Sequence, residues 1–410
     1  VTADMTQAGV TPLHPAQTAL SAEDRRRWRA LPALQQPDWG ERWLVDEVTS
    51  DLAALPPLVE PGEVRTLRRL LAEVAAGRLQ VVQAGDCAED PAECVPEVLT
   101  RKVGLLDLIA GVVRLNADRP VVRVGRIAGQ FAKPRSRPTE WHDGRELPAF
   151  RGHLVNGPEP DPATRRPDPL RLLTCYHAAR TAMAFLRTSQ TGWAPSAEAP
   201  LWTSHEALLL DYELPQVRRV AGRTLLTSTH WPWIGDRTRQ VDGAHVRLLA
   251  VVDNPVACKV GPSMTAAELV ALCARLDPGR VPGRLTLIAR MGADAVGTAL
   301  PPLVEAVRAA GHPVVWLCDP MHGNTVTTRD GWKTRFLDAV VREVREFQDA
   351  VTRAGGVDGG LHLETTPHPV RECVWDERES AALGADYTTC CDPRLNPEQA
   401  VAVASAWRAT

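Results

Sequence analysis

Short apolar runs recur along the chain, each closed by glycine, proline or charged residues. They are LQVVQAGDC (79–87), PVVRVGRIAG (120–129), PLWTSHE (200–206), TLLTSTHW (224–231), PVACKVGP (255–262), LTLIARMG (285–292), HPVVWLCDP (312–320) and GLHLETT (360–366). Runs of this length, rich in Val, Leu, Ile, Thr and Trp and bounded by turn formers, predict buried strands. Between most of them the apolar positions return every three to four residues, as in LTRKVGLLDLIAGVVRLN (99–116) and PLVEAVRAAG (302–311), which predicts helices. Thr265 with Glu268 forms a capping box ahead of ELVALCARL, and Asn396 followed by Pro397 starts the last helix.

Eight strand-and-helix alternations predict a closed parallel (β/α)8 TIM barrel more readily than an open doubly wound sheet. Residues 1–78 carry few strand signals; SAEDRRRWRAL and PGEVRTLRRLLAEVAAG read as helices, so a helical N-terminal leader precedes a catalytic barrel spanning 79–410. The stretch 131–160, rich in Pro, Arg and Gly, predicts a long loop insertion over one end of the barrel.

Composition narrows the function. A formal net charge of −3 argues against a generally basic surface for nucleic acid. VTADMTQAGVTPLHP lacks the apolar core of a secretory signal, and LLDLIAGVV is too short to span a membrane and carries Asp107, so the expected location is cytoplasmic, with no membrane partner. Nine cysteines without a CxxC pair suit reduced thiols, one of them a candidate ligand. No GxGxxG or Walker loop is present, and SHEAL (204–208) is not the HExxH of a zinc peptidase.

In a barrel of this kind the chemistry gathers at the carboxyl ends of the strands. There the chain places Asp86 and Cys87, Arg126, Asp236 and Arg237 after a short aromatic loop, Lys259, Arg290, Asp319 and His322, Glu364, and then Asp392. Cys, His, Glu and Asp supply a mixed ligand set for a divalent metal, while Arg126, Arg237, Lys259 and Arg290 form a cationic nest for phosphate and carboxylate. Singly, each has an ordinary reading as a packed cysteine, a solvated charge or a structural histidine. Jointly, that reading needs many independent coincidences at one end of successive strands.

At these residues the sequence resembles the class II 3-deoxy-arabino-heptulosonate 7-phosphate (DAHP) synthases. The resemblance rests on QAGDCAED, RVGRIAGQFAKPRS, WTSHEALLLDYE, GDRTRQVDGAHV, NPVACKVGP, CDPMHGNT, GLHLETT and CDPRLNP, and runs from about Leu31 to the C-terminus. STHWPWIG, NPVACKVGP and the short leader resemble the branch found in phenazine and related secondary-metabolite pathways. The resemblance implies a metal-dependent transferase that condenses phosphoenolpyruvate with erythrose 4-phosphate, opening the shikimate pathway to aromatic amino acids, with Mn²⁺ or Co²⁺ as cofactor and an oligomer of identical chains. It implies metal ligands Cys87, His322, Glu364 and Asp392. Phosphoenolpyruvate contacts fall on Arg126, Asp236, Arg237, Lys259 and Arg290, and Lys133, Arg135 and Ser136 lie near the aldose phosphate, with Lys133, Arg126, Lys259 and His322 as catalytic residues.

Three positions depart from the family pattern. Asp236 stands where Glu is expected, His153 in RGHLVNG where Asp is expected, and TTPHPVREC replaces an acidic stretch with His368 and Pro369. The rival readings are an amino-DAHP synthase taking an imino sugar phosphate, and a weakly active barrel partnering a chorismate-using enzyme. Beside Asp392, Cys390 and Cys391 are both candidates for a disulfide to Cys87.

Overall fold

The computed structural model describes residues 17–189, 201–384 and 386–410. The N-terminal stretch read above for a signal therefore lies outside the described residues. Among those described, no helix is long and apolar enough to cross a membrane.

Eight parallel strands close into a barrel among the described residues: β1 (Gln80–Gly85), β2 (Val121–Arg126), β3 (Trp202–Glu206), β4 (Trp231–Ile234), β5 (Val256–Val260), β6 (Leu285–Ala289), β7 (Val315–Cys318) and β8 (Asp358–Glu364). Neighbours in space follow chain order, and β8 closes on β1 through Gly360↔Val81 to Glu364↔Gly85. Closure is tight at Gly360, whose φ is +142°; a Cβ there would stand 1.9 Å from the Val81 carbonyl oxygen, so a side chain would force the seam apart.

The fourth strand corrects the sequence reading. TLLTSTHW is not a barrel strand: its first half belongs to Arg223–Leu226, which pairs antiparallel with Val217–Val220 in a small outer sheet completed by Gln17–Ala19. The barrel strand is WPWI, the segment taken for an aromatic loop. Its proline spoke against a central strand. Pro232 is tolerated because β4 is only four residues long, and β5 pairs with it at Trp233 and Ile234.

Inside the barrel Val81, Val124, Trp202, Trp231, Ile288 and Leu317 form one apolar cluster. Leu67, Leu71 and Val74 from the helix Pro61–Ala75 join it and stop the amino-terminal end of the barrel. That helix and its predecessors Ala22–Arg29 and Arg42–Ala54 account for the helical character of the leader. The outer helices bury their apolar faces in the larger cluster around the barrel. The capping box read from sequence is present at Thr265/Glu268, and the helix start read at Asn396 carries a further one with Gln399. The 131–160 segment contains a β-hairpin, Thr139–His142 with Arg145–Pro148.

Candidate active site

The carboxyl ends of the strands surround a cavity of about 830 Å³. Cys87, Arg126, Lys133, Arg135, Ser136, Asp236, Arg237, Lys259, Arg290, His322 and Asp392 all line it, so the structure brings these sequence candidates together. Glu364 lies just behind, wholly buried. The hairpin above overhangs the mouth, with Glu140 accepting from Arg135 at 2.6 Å and Trp141 71% exposed at the rim.

Ligand atoms of Cys87, Glu364 and Asp392 lie within 4.8 Å of one another. His322 stands at the edge of this group rather than within it, its Nε2 3.1 Å from Glu364 Oε1. The other ring nitrogen, Nδ1, is 2.8 Å from Asp319 Oδ2, an arrangement that fixes the ring and turns Nε2 toward the cluster. Asp319 also pairs with Lys259, and its carboxyl sits far below the ordinary range: burial would raise it, but His322 and Lys259 outweigh that effect.

A cation already sits among the three donors. The Lys133 ammonium is 2.6 Å from Cys87 Sγ, 2.7 Å from Asp392 Oδ2 and 3.6 Å from Glu364 Oε1. Burial alone would lower the Lys133 pKa, but Asp392, Cys87 and Glu364 drive it well above the usual value. A thiol, two carboxylates and a carboxylate-oriented imidazole form a mixed set suited to a divalent metal. Burial, with the Cys391 hydrogen bond next, pushes the Cys87 thiol up, so loading a metal there releases a proton.

The cationic side is equally built. Arg126 donates from Nη2 to Glu364 Oε1 at 3.1 Å, and its guanidinium lies 5.3 Å from the Trp233 ring centroid. Its Nη1 is 2.8 Å from His362 Nε2, whose Nδ1 is 2.6 Å from Gln83 Oε1. Burial holds His362 well below its usual pKa, so the neutral ring accepts from Arg126 and donates to Gln83. Arg290 donates to Asp236 Oδ2 at 3.1 Å, so the shorter acid at 236 still reaches its partner. Arg237 donates to Ser136 at 2.5 Å, joining the end of β4 to the KPRS loop.

Sequence reasoning missed three residues here. Glu206, at the end of β3, lines the cavity with burial raising its pKa, and among the described residues its Oε1 has no hydrogen-bond partner. Its place at a strand terminus was the available signal, overlooked once SHEAL had been dismissed as a peptidase motif. Arg335, fully buried, donates to Glu364 Oε2 at 2.8 Å, and Arg394 ties the last loop to Asp86 at 2.9 Å; only the fold reveals either contact.

His153 is not among the described residues lining the cavity. It meets Phe150 edge-on at 5.4 Å, and Phe150 in turn packs with Cys87 and Cys391. Cys391 thus shares a buried cluster with Cys87, whereas Cys390 is exposed.

Comparison with known proteins agrees with this arrangement. The Class-II DAHP synthetase family matches residues 23–198 and 194–407. A probable phospho-2-dehydro-3-deoxyheptonate aldolase of Pseudomonas fluorescens is 53% identical over 384 residues, covering 92% of this chain and 95% of that protein. A phospho-2-dehydro-3-deoxyheptonate aldolase of Streptomyces coelicolor is 41% identical over 438 residues, covering 95% and 97%. In fold, the chain is similar to the solved phospho-2-dehydro-3-deoxyheptonate aldolase of Francisella tularensis, with TM-score 0.53 at 13% identity, covering 89% of this chain and 97% of that one. With its barrel, its motifs and these relatives, the chain belongs to the class II DAHP synthase family.

Proposed function

We propose that the chain condenses phosphoenolpyruvate with erythrose 4-phosphate and water to give DAHP and phosphate, the entry reaction of the shikimate pathway. The observation that carries this reading is a Cys, Glu and Asp cluster, with His322 beside it, opening onto the same cavity as the cations Arg126, Lys259 and Arg290. Such a site holds an aldehyde oxygen next to two anionic groups of an enol phosphate.

Cys87, His322, Glu364 and Asp392 would hold a divalent cation, which would supply polarisation of the aldehyde oxygen. Arg126, Lys259 and Arg290 hold the phosphate and carboxylate of phosphoenolpyruvate, with Arg237 and Asp236 completing that wall. Lys133, Arg135 and Ser136 receive the aldose phosphate. The phosphoenolpyruvate methylene carbon attacks the aldehyde carbon, and Lys133 delivers a proton to the oxygen that becomes a hydroxyl. The oxocarbenium-like carbon left behind takes up water, and phosphate departs by C–O cleavage. Glu206, buried and unpartnered, is placed to take the proton that this water gives up. Positioning by prearranged charges supplies most of the rate.

His153 packs edge-on against Phe150 and is not among the described residues lining the cavity, so its departure from the family pattern does not change the cavity wall, and erythrose 4-phosphate remains the acceptor. The secondary-metabolism branch is part of the proposal, supported by STHWPWIG and NPVACKVGP. A cytoplasmic location and assembly of identical chains belong to it as well.

The test is an assay of purified protein with both substrates, following loss of the enol absorbance with and without added metal. Chelation should abolish turnover and Mn²⁺ or Co²⁺ restore it; full activity after exhaustive demetallation would sink the metal assignment.

A further inference from the structure

Two of the four proposed metal ligands ride on segments joined by a buried ionic brace that reaches neither the substrates nor the cluster itself. Arg394 lies two residues after Asp392. It grips Glu372 with two donors, Nε to Oε2 at 3.0 Å and Nη2 to Oε1 at 2.8 Å, and with a third, Nη1, reaches Asp86 Oδ1 at 2.9 Å. Asp86 immediately precedes Cys87 and is itself anchored by Lys102 at 2.7 Å. Glu372, fully buried, also accepts backbone N–H bonds from Thr388 at 3.3 Å, Thr389 at 2.8 Å and Arg394 at 2.8 Å. One carboxylate therefore folds the 388–394 loop around itself, and one guanidinium ties that loop to the end of β1. The result is visible in the cluster, where the Asp392 N–H lies 3.4 Å from Cys87 Sγ.

We propose that Arg394 and Glu372 are positioning residues that set the affinity of the metal site by holding Cys87 and Asp392 at chelating distance before any cation arrives. The inference rests on the metal site proposed above. Neither residue is among the described residues lining the cavity, so a contact with substrate does not account for them. A forked, doubly bonded Arg–carboxylate pair fixes direction as well as distance, which lysine cannot reproduce. A ligand loop ordered in advance loses less freedom on binding, and partners behind a ligand ordinarily govern metal affinity by about 10–100-fold. Asp392 comes from a loop, not a strand, so it depends on the brace more than Glu364 does.

The test titrates Co²⁺ into demetallated full-length protein and follows the thiolate-to-cobalt charge-transfer band, which reports Cys87 ligation directly. Wild type must show the band, and its absence would overturn the metal-site reading instead of the brace. Arg394→Lys and Glu372→Gln are expected to weaken Co²⁺ binding about 10–100-fold, with kcat and the KM for phosphoenolpyruvate recovering once metal saturates. A purely structural role would instead lower Tm equally with and without metal and leave the Co²⁺ affinity alone. Thr388→Val keeps the backbone bond but removes the exposed hydroxyl that donates to Glu372 Oε1 at 3.2 Å and accepts from Arg394 Nη2 at 2.9 Å, and should weaken Co²⁺ in the same direction by less; it decides the matter if the buried variants do not fold. Folded variants that bind Co²⁺ within twofold of wild type would overturn the proposal.

Discussion

A Cβ atom at Gly235 would stand 2.1 Å from Oε1 of Glu206. Glycine at the end of β4 thereby leaves the Glu206 carboxylate its place on the cavity wall. Gly235→Ala is expected to displace that carboxylate and cut kcat by about 10²-fold, the usual cost of moving a reacting group by an ångström or so. Glu206→Gln, which keeps the volume, should lower kcat by about 10²-fold or more. Steady-state kinetics on both variants, with Tm alongside, check this; a kcat within threefold of wild type in Glu206→Gln would remove the residue from the chemistry.

Lys259 gives the site an alkaline limb. Burial pushes its ammonium down to about 8, with Arg126 adding to the fall and Asp319 opposing it. Below that pH the side chain is charged and holds phosphoenolpyruvate, whereas above it the charge and the grip are lost. The kcat/KM for phosphoenolpyruvate should therefore decline as pH rises through about 8, a limb that belongs to the free enzyme. A profile that stays level to pH 9.5 would reject the assignment.

Cys87 and Cys391 share a buried cluster, and the hydrogen bond from Cys87 lowers the Cys391 thiol pKa, so of this pair Cys391 gives up its proton more readily. Treating demetallated protein with diamide, which takes up two electrons and two protons, should join Cys87 to Cys391. Bound Mn²⁺ should protect the pair. Peptide mapping decides it: a Cys87 link to the exposed Cys390 in place of Cys391, or none at all, would contradict the geometry.

The proposed secondary-metabolism branch carries an expectation of weak feedback. Phe, Tyr and Trp should each leave activity nearly unchanged when titrated into the assay. Strong inhibition at micromolar amino acid would place the chain with the regulated enzymes of primary metabolism.

Much of this site was legible in the chain because a barrel turns sequence position into spatial position. Any residue just after an apolar run lands at the same rim, which is why Cys87, Arg126, Lys259 and Glu364 could be named together. Reading failed where tertiary context overrode local pattern. TLLTSTHW has the β-branched composition of a strand, yet WPWI took the barrel position, because closure buries its two tryptophans where only a short, proline-tolerant strand was required. Arg335 ends the short strand Lys333–Arg335 and Arg394 sits in a loop, and neither carries a local signal, since their meaning lies in carboxylates 29 and 22 residues away along the chain. His153 misled in the other direction, as its ring packs edge-on against Phe150 and is not among the described residues lining the cavity.

The seam between β8 and β1 gives the cluster a second consequence. Cys87 is made near the start of the barrel and Asp392 305 residues later, after its last strand. The ligand set therefore comes into being only when nearly the whole chain has been synthesised and the two ends of the sheet have met. A cation held by the proposed set would be a clasp across that join, adding about 2.7 kcal/mol to folding stability when its free concentration is a hundred times Kd. On that reading metal supply would act as quality control, because a chain that has not finished closing has no complete set of donors to offer the ion.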